Sequence, residues 1–314
     1  MSLEDRKKEY KDFLKENENV SIFSQDWWLD AVCGEENWDV SLVKRDNKVI
    51  GSFPFFLKQK YSLFKIITQP PLTQTLEPLI KVTGNPKSIF DYKTRILSEL
   101  IKQLPRTIAC RFNLSHKYQN WLPFYWEGYD QTTYYSYFLD SLDDEEQLWQ
   151  GLSGGRRGDI RKAIKNKLMI QEDIEISEFY SLYEKTYKRK GLKPTVSKQL
   201  IDRVYSACKQ KNVGKILAVV NEEGNLVSGA YIIWDNETAY YLLGGLNPDI
   251  EGRGSQSYVI WEAIKLSSKV SKRFDFEGSM NKGIEFFFRS FGSKQQPFMG
   301  VQKFSPKLLK ILVI

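Results

Sequence analysis

One order of elements is written twice in this chain, and that repetition constrains the fold more than any single motif. In the first half, residues 38–43 alternate as a strand does, Arg45-Asp46-Asn47-Lys48 reads as a turn, and residues 49–57 return. A third apolar run, 64–68, ends at Gln69-Pro70-Pro71. After a long loop, Asn85 and Pro86 predict an N-cap and a first helical residue. The helix that follows sets Ile89, Ile96, Leu97, Leu100 and Ile101 on one face; Pro105 stops it, and residues 107–112 read as a strand. The second half repeats the order. Residues 215–220 and 226–234 form a hairpin around Asn221-Glu222-Glu223-Gly224-Asn225, and residues 239–244 follow. A loop over 246–254 leads to a helix over 255–270, and residues 273–277 alternate strictly. Two copies of strand, hairpin, strand, loop, helix, strand predict two similar α/β domains rather than one large sheet.

The segment between the copies, 140–212, reads as mostly helical. Ser141, Asp143, Asp144, Glu145 and Glu146 place acceptors and negative charge at one helix start. Phe179, Leu182, Tyr183 and Tyr187 follow helical spacing, and Ser197 opens a further helix through Leu200, Val204 and Cys208.

Composition narrows the chemistry. A length of 314 residues gives room for about two cores. No apolar run approaches the roughly 18 residues that span a bilayer, and the Lys- and Glu-rich start does not read as a secretory signal. Cys33, Cys110 and Cys208 are too widely spaced for a disulfide framework or a zinc site, so a reduced, cytoplasmic protein is expected. A single histidine, His116, excludes His-rich metal sites, and no metal is expected. The formal net charge of +7 suggests an anionic partner, such as phosphates, a nucleotide, tRNA or a membrane surface. DNA is not expected.

Three segments carry candidate chemistry. In residues 151–167, glycines precede Arg156, Arg157 and Arg161, a pattern that suits phosphate oxygens as well as a solvated basic face. At the second strand-to-helix junction, Glu251, Gly252, Arg253, Gly254, Ser255 and Gln256 could cradle a pyrophosphate or simply connect the two elements. In residues 273–279, Phe274 and Phe276 on one side would leave Arg273, Asp275 and Glu277 on the other. Carboxylates at a strand end can serve as a base or hold an amine; Asp275 could equally pair with Arg273 or Arg289. In the next helix Ile284, Phe287, Phe288 and Phe291 read as a core face, with Gly292 as C-cap.

The runs Ile260-Trp-Glu-Ala-Ile264, Arg273-Phe-Asp-Phe-Glu-Gly-Ser279, Gly283-Ile-Glu-Phe286 and Arg289-Ser-Phe-Gly292 resemble the C-terminal half of the FemABX-like transferases, which share the GNAT acyltransferase fold. Arg157-Gly-Asp-Ile-Arg-Lys-Ala163 and Phe23-Ser-Gln-Asp-Trp-Trp28 are also similar to stretches of that family.

The resemblance implies an α+β (α/β) fold of tandem GNAT-like domains, each a mixed, mostly antiparallel sheet flanked by helices. The expected division is 1–139, with the tail 298–314 packing back on it, and 140–297, which carries the donor site. It implies two strands that splay around the acyl donor's arm, here 239–244 and 273–277. The reaction would be acyl transfer to an amine of a sugar nucleotide or cell-envelope precursor, from acyl-CoA or, as in Fem-type peptidoglycan enzymes, from aminoacyl-tRNA. The charged helical hairpin that some Fem enzymes insert in the second domain has no counterpart here, and the small net charge favours acyl-CoA.

Expected roles are Glu277 or Asp275 as base or amine anchor, and Tyr241 or Tyr258 as proton donor to the leaving group. Residues 251–256 would hold donor phosphates. Arg156, Arg157, Arg161, Gln25, Trp28, Gln69 and Arg289 would bind the acceptor or tRNA. A non-catalytic binder of anionic glycan or nucleic acid is the other class, and the tail 307–314 offers a membrane-surface contact.

Overall fold

The computed structural model describes residues 1–17, 19–60, 64–172 and 174–305, so the tail assigned above to a membrane contact lies outside the described residues. The chain divides into two compact units, Met1–Tyr134 with Pro297–Ile314, and Tyr135–Gln296. Among the described residues no helix is long and apolar enough to cross a membrane.

The first unit begins with α1 (Leu3–Lys15), capped by Ser2 and Asp5 in a reciprocal box, and α2 (Asp26–Cys33). Then come β1 (Trp38–Arg45), β2 (Lys48–Lys60), β3 (Phe64–Thr68), β4 (Leu79–Ile80), α3 (Ile89–Lys102), β5 (Ala109–Leu114) and the short α4 (Leu122–Trp126). The β1–β2 hairpin turns at Asp46 and Asn47, both in the left-handed region that a two-residue turn between right-twisted strands demands. β2 pairs antiparallel with β3, and β3 parallel with β5. The predicted helix starts three residues late. Ser88, not Asn85, is the N-cap, because its hydroxyl accepts the Asp91 N–H. Ile96, Leu97, Leu100 and Ile101 are buried as expected, whereas Ile89 is exposed. At Gly51 a Cβ would stand 2.6 Å from Ile96, so the glycine lets α3 lie flat on β2.

The second unit draws on β6 (Asp130–Leu139), α5 (Glu145–Gly151), α6 (Gly154–Lys165), β7 (Met169–Glu172), α7 (Ile176–Lys188) and α8 (Lys198–Lys211). It continues with β8 (Gly214–Val220), β9 (Leu226–Trp234), β10 (Thr238–Leu246), α9 (Ser255–Ser267), β11 (Arg273–Asp275) and α10 (Lys282–Arg289). Its strand order is β6-β11-β10-β9-β8-β7. Every described pairing in it is antiparallel except β10 with β11. β9 is buried on both faces, as a strand covered by helices must be. Ala230 and Ile232 share a core with Ile160 and Ala163 of α6 and with Val259, Ile260, Ala263 and Ile264 of α9. On the opposite face, Tyr231 meets Phe179 of α7.

The two-residue β4 and three longer strands escaped the sequence reading. β6, β7 and β12 (Lys294–Phe304) carry polar and aromatic residues in mixed order rather than alternation. Residues 299–304 of β12 pair antiparallel with β5 in the first unit. The expected helix start at Ser141 also moves: Asp144 caps α5 by accepting the Gln147 N–H, and Ser141 bonds Asp143 instead.

Candidate active site

β10 and β11 hold together for three residue pairs and then part. The pairs are Thr238–Arg273, Ala239–Phe274 and Tyr240–Asp275. Beyond them Phe276 gives its N–H to Tyr137 of β6, while β10 continues to Leu246 beside β9. The opening is a cavity of about 700 Å³. Its walls come from Tyr241 to Leu246 on β10, Phe276 to Ser279 after β11, and α10 and α7. The expected splay is therefore present and is not plugged by side chains.

Glu277 lines that cavity in a left-handed backbone conformation, φ +57°, which a residue with a Cβ adopts at a cost of order 1 kcal/mol. Two features hold it there. Asp275 accepts the Glu277 N–H at 2.8 Å and the Ser136 hydroxyl, so its carboxylate braces the turn. Gly278 also has positive φ, and a Cβ on it would stand 2.2 Å from the Tyr135 carbonyl, so the chain can press against β6 only as glycine. Asp275 is 2% exposed. Burial pushes its pKa up to about 7, with the Ser136 and Glu277 bonds pulling the other way. Burial raises the Glu277 pKa well above the usual carboxylate range, and the neighbouring Asp275 adds to the rise. Asp275 is thus a positioning group; Glu277 is the carboxylate that meets the cavity.

Across the opening, Tyr241 offers its hydroxyl, which accepts from Gln256 Nε2 at 2.8 Å. A Cβ at residue 244 would lie 1.8 Å from that oxygen, so Gly244 makes room for it. Burial raises the Tyr241 pKa, leaving the phenol protonated. Between Tyr241 and Leu243 the β9–β10 register slips, a bulge that takes one residue out of the ladder beside the cavity. α7 closes a third side. Thr186 Oγ1 accepts the Leu246 N–H at 2.7 Å, and Gly245 lets β10 come within contact of the Leu182 backbone. This fixes Tyr183, Tyr187, Arg189 and Lys190 along the wall.

Residues 155–278, which include β10, α9, β11 and the parting between the strands, match the model of the acetyltransferase (GNAT) domain family. Solved structures agree on the fold of the whole chain. The crystal structure of FemX is similar over 100% of this chain and 98% of that one, with TM-score 0.69 and 12% identity. The structure of L-PGS from Bacillus licheniformis covers 97% and 95% with TM-score 0.59 and 9% identity. A tandem GNAT protein from the clavulanic acid biosynthesis pathway covers 96% and 95% with TM-score 0.54 and 10% identity. No curated protein matches the chain in sequence. Residues 155–278 carry a GNAT-type acetyltransferase domain, and the chain as a whole has the fold of these structures.

Not every residue expected at this site is brought to it. Of residues 251–256, Gln256 alone lines the cavity. Gly254 is the N-cap of α9, and a Cβ there would stand 2.1 Å from the Asp159 carbonyl of α6. Gly252 is likewise pressed against Val227, Ser255 is buried, and Glu251 and Arg253 are exposed. The Asp159 carboxylate accepts from the Ser257 hydroxyl at 3.3 Å, in the first turn of α9, and is itself paired with Arg156. Residues 251–255 thus pack beside α6 and Val227 rather than in the cavity lining.

The three arginines of α6 diverge. Arg156 bonds Ser257 at 2.8 Å, pairs with Asp159 at 3.1 Å and lies 4.8 Å from the ring centre of Phe287, behind the cavity wall. Arg157 donates to the Gln150 and Leu152 carbonyls, satisfying the end of α5. Arg161 lies over Trp149. Arg289 pairs with Glu285 at 2.7 Å, outside the cavity lining, and Tyr258 packs on the core.

In the first unit, Trp28 has no exposed surface and donates to Thr73 at 2.9 Å. Gln69 accepts the Asn113 N–H and donates to the Thr73 carbonyl. Gln25 precedes α2 and reaches the Val20 carbonyl. All three hold loops in place.

The sequence reading missed Thr186, Tyr187, Arg189, Lys190 and Ser279. Lys188-Arg189-Lys190, a charge run just past the last apolar helical residue, was the available signal. Ile284 and Phe287, expected in the core, line the cavity, as does the buried Phe288, whereas Phe291 is buried away from it. Among the described residues no cluster of three His, Cys, Asp or Glu is placed to hold a metal.

Proposed function

We propose that the second unit transfers an acyl or aminoacyl group from an activated carbonyl onto an amine, with the donor's arm lying between the parted ends of β10 and β11. The observation that carries this is Glu277, a carboxylate of raised pKa braced by Asp275 and Gly278 on the wall of that opening. The acceptor arrives as an ammonium and must lose a proton before it can attack. Glu277, once ionised, takes that proton. The amine then adds to the carbonyl carbon, and a backbone N–H at the β10 bulge polarises the carbonyl oxygen. As the tetrahedral intermediate collapses, the Tyr241 hydroxyl, oriented by Gln256, gives its proton to the departing oxygen or sulfur and regains one from the added nitrogen, which becomes the amide. Walls from α7 and α10 position the two reactants.

On the donor, residues 251–255 lie outside the cavity lining, which weighs against acyl-CoA seated there by its pyrophosphate. This favours an aminoacyl ester of tRNA, held instead by a broad basic surface such as the exposed Arg161, Lys162 and Lys165. The acceptor in this reading is the amine of a phosphate-bearing sugar nucleotide or cell-envelope precursor, with Arg189 and Lys190 at the cavity wall to meet its phosphates. Three buried free cysteines suit action in the reducing cytoplasm.

The test supplies purified protein with an amine-bearing envelope precursor and either aminoacyl-tRNA or acetyl-CoA, at two salt concentrations. Transfer from aminoacyl-tRNA that falls steeply with salt is expected. Salt-insensitive transfer from acetyl-CoA would replace the donor, and transfer from neither would remove the reading.

A further inference from the structure

The first unit carries an apolar face that its own core does not use. The stripe that buries Tyr92, Ile96, Leu97, Leu100 and Ile101 of α3 runs one turn further toward the helix start, where Ile89 and Phe90 stand 56% and 59% exposed. Beside it lies α4, joined to α3 through Asn120, which donates to Thr94 at 2.9 Å. Leu122, Tyr125 and Trp126 of α4 are exposed as well, the last by 60%, and Tyr125 is set edge-on against Trp121. Lone exposed apolar residues need no explanation, but five on two adjoining helices do.

What surrounds them indicates the partner. Lys87, Lys93 and Arg95 are exposed on the same helix or just before it. On the acidic side stand Asp91 in the first turn, Glu99, which is held by Arg45 at 2.6 Å, and Glu127, which lies 3.9 Å from Lys102. Aromatic rings with polar edges, an overhanging apolar turn and a basic rim are the chemistry of an element that lies in the headgroup layer of an anionic bilayer. A protein interface of ordinary kind is instead depleted of lysine.

We infer that the α3–α4 face of the first unit docks on an anionic lipid surface, with Phe90, Tyr125 and Trp126 entering the headgroup layer and Lys87 and Lys93 facing the lipid phosphates. The inference does not depend on the proposed transferase chemistry.

The test is sedimentation of the full chain with vesicles of phosphatidylglycerol and phosphatidylcholine in equal parts, against vesicles of phosphatidylcholine alone. The wild-type chain pellets with the anionic vesicles. The triple variant Phe90→Ser, Tyr125→Ser, Trp126→Ser loses about tenfold or more of that partitioning with an unchanged circular dichroism spectrum. The pair Lys87→Glu, Lys93→Glu loses the preference for anionic lipid. Three results would overturn the inference: wild-type chain left in the supernatant with both vesicles, a triple variant that pellets like wild type, or a concentration-dependent dimer that the triple variant dissolves, which would assign the face to a second copy.

Discussion

The two units meet the same topological problem and solve it in opposite ways. In each, a parallel pair of strands joined through a helix is bonded for a short stretch and then diverges: β3 with β5 after Ile67 and Cys110, β10 with β11 after Tyr240 and Asp275. In the first unit the chain folds back into the gap. Leu76 bridges to Leu114, donating to the Asn113 carbonyl at 2.8 Å and accepting the Ser115 N–H at 3.0 Å. Gln69 and Asn113 fasten the same loop with side-chain bonds. In the second unit the corresponding gap is left as a cavity, and the chain after β11 turns through Glu277 and Gly278 to line it. A splay becomes a site only where nothing of the chain's own fills it.

The largest effect that can break this contrast is at Glu277. The variant Glu277→Gln keeps the shape and removes the proposed base, and turnover falls by about 10² to 10⁴. In the wild type, kcat/KM rises with pH as Glu277 loses its proton, over a range well above that of an ordinary glutamate, and the variant loses this rise. Next, Ile284→Trp adds bulk on the open side of the cavity, where Ile284 is 38% exposed. It cuts kcat/KM by roughly tenfold, about 1.4 kcal/mol, without lowering Tm.

Removing the plug acts on the other side of the comparison. The variant Gln69→Ala strips the Asn113 N–H of its acceptor and costs the fold about 1 to 3 kcal/mol, read as a lower denaturant midpoint, with turnover changed less than about twofold. The last effect is in pH-dependent stability. Asp275 has a folded pKa raised to about 7 from 3.8, so the folded state holds its proton longer than the unfolded one. Stability therefore declines as pH rises between those values and levels off above. In Asp275→Asn, which keeps an acceptor for the Glu277 N–H, thermal melts between pH 4 and 8 show a shallower decline.

Much of this was legible in the sequence. The doubled order of elements was, because hairpins with Asp46-Asn47 and Gly224 turns and stripes such as Val259, Ile260, Ala263 and Ile264 are local signals. The position of the opening between residues 239–244 and 273–277 followed from the family resemblance. Glu277 was singled out, but its separation from Asp275 was not, since alternation places both on one side. The left-handed turn at 277 and 278 is what sends one to the core and the other to the cavity. The arginines of α6 read as one basic cluster in sequence, yet successive residues on a helix point about 100° apart and here find three different partners. Gly252 and Gly254 looked like a phosphate loop, and their small size instead serves close contact with Val227 and Asp159. Contacts made by residues nearly 100 positions away leave no trace in a short window.

Access to the two gaps can be compared directly by thiol labelling, since Cys33, Cys110 and Cys208 are all buried. Ser279→Cys puts a thiol in the lining of the open cavity, and Thr73→Cys puts one in the plug, at a site 5% exposed. A bulky maleimide should label the Ser279→Cys chain fast and abolish transfer, with the acyl donor slowing the labelling, while the folded Thr73→Cys chain stays unlabelled. Equal labelling of the two, or protection of Thr73→Cys by the donor in place of Ser279→Cys, would contradict the account.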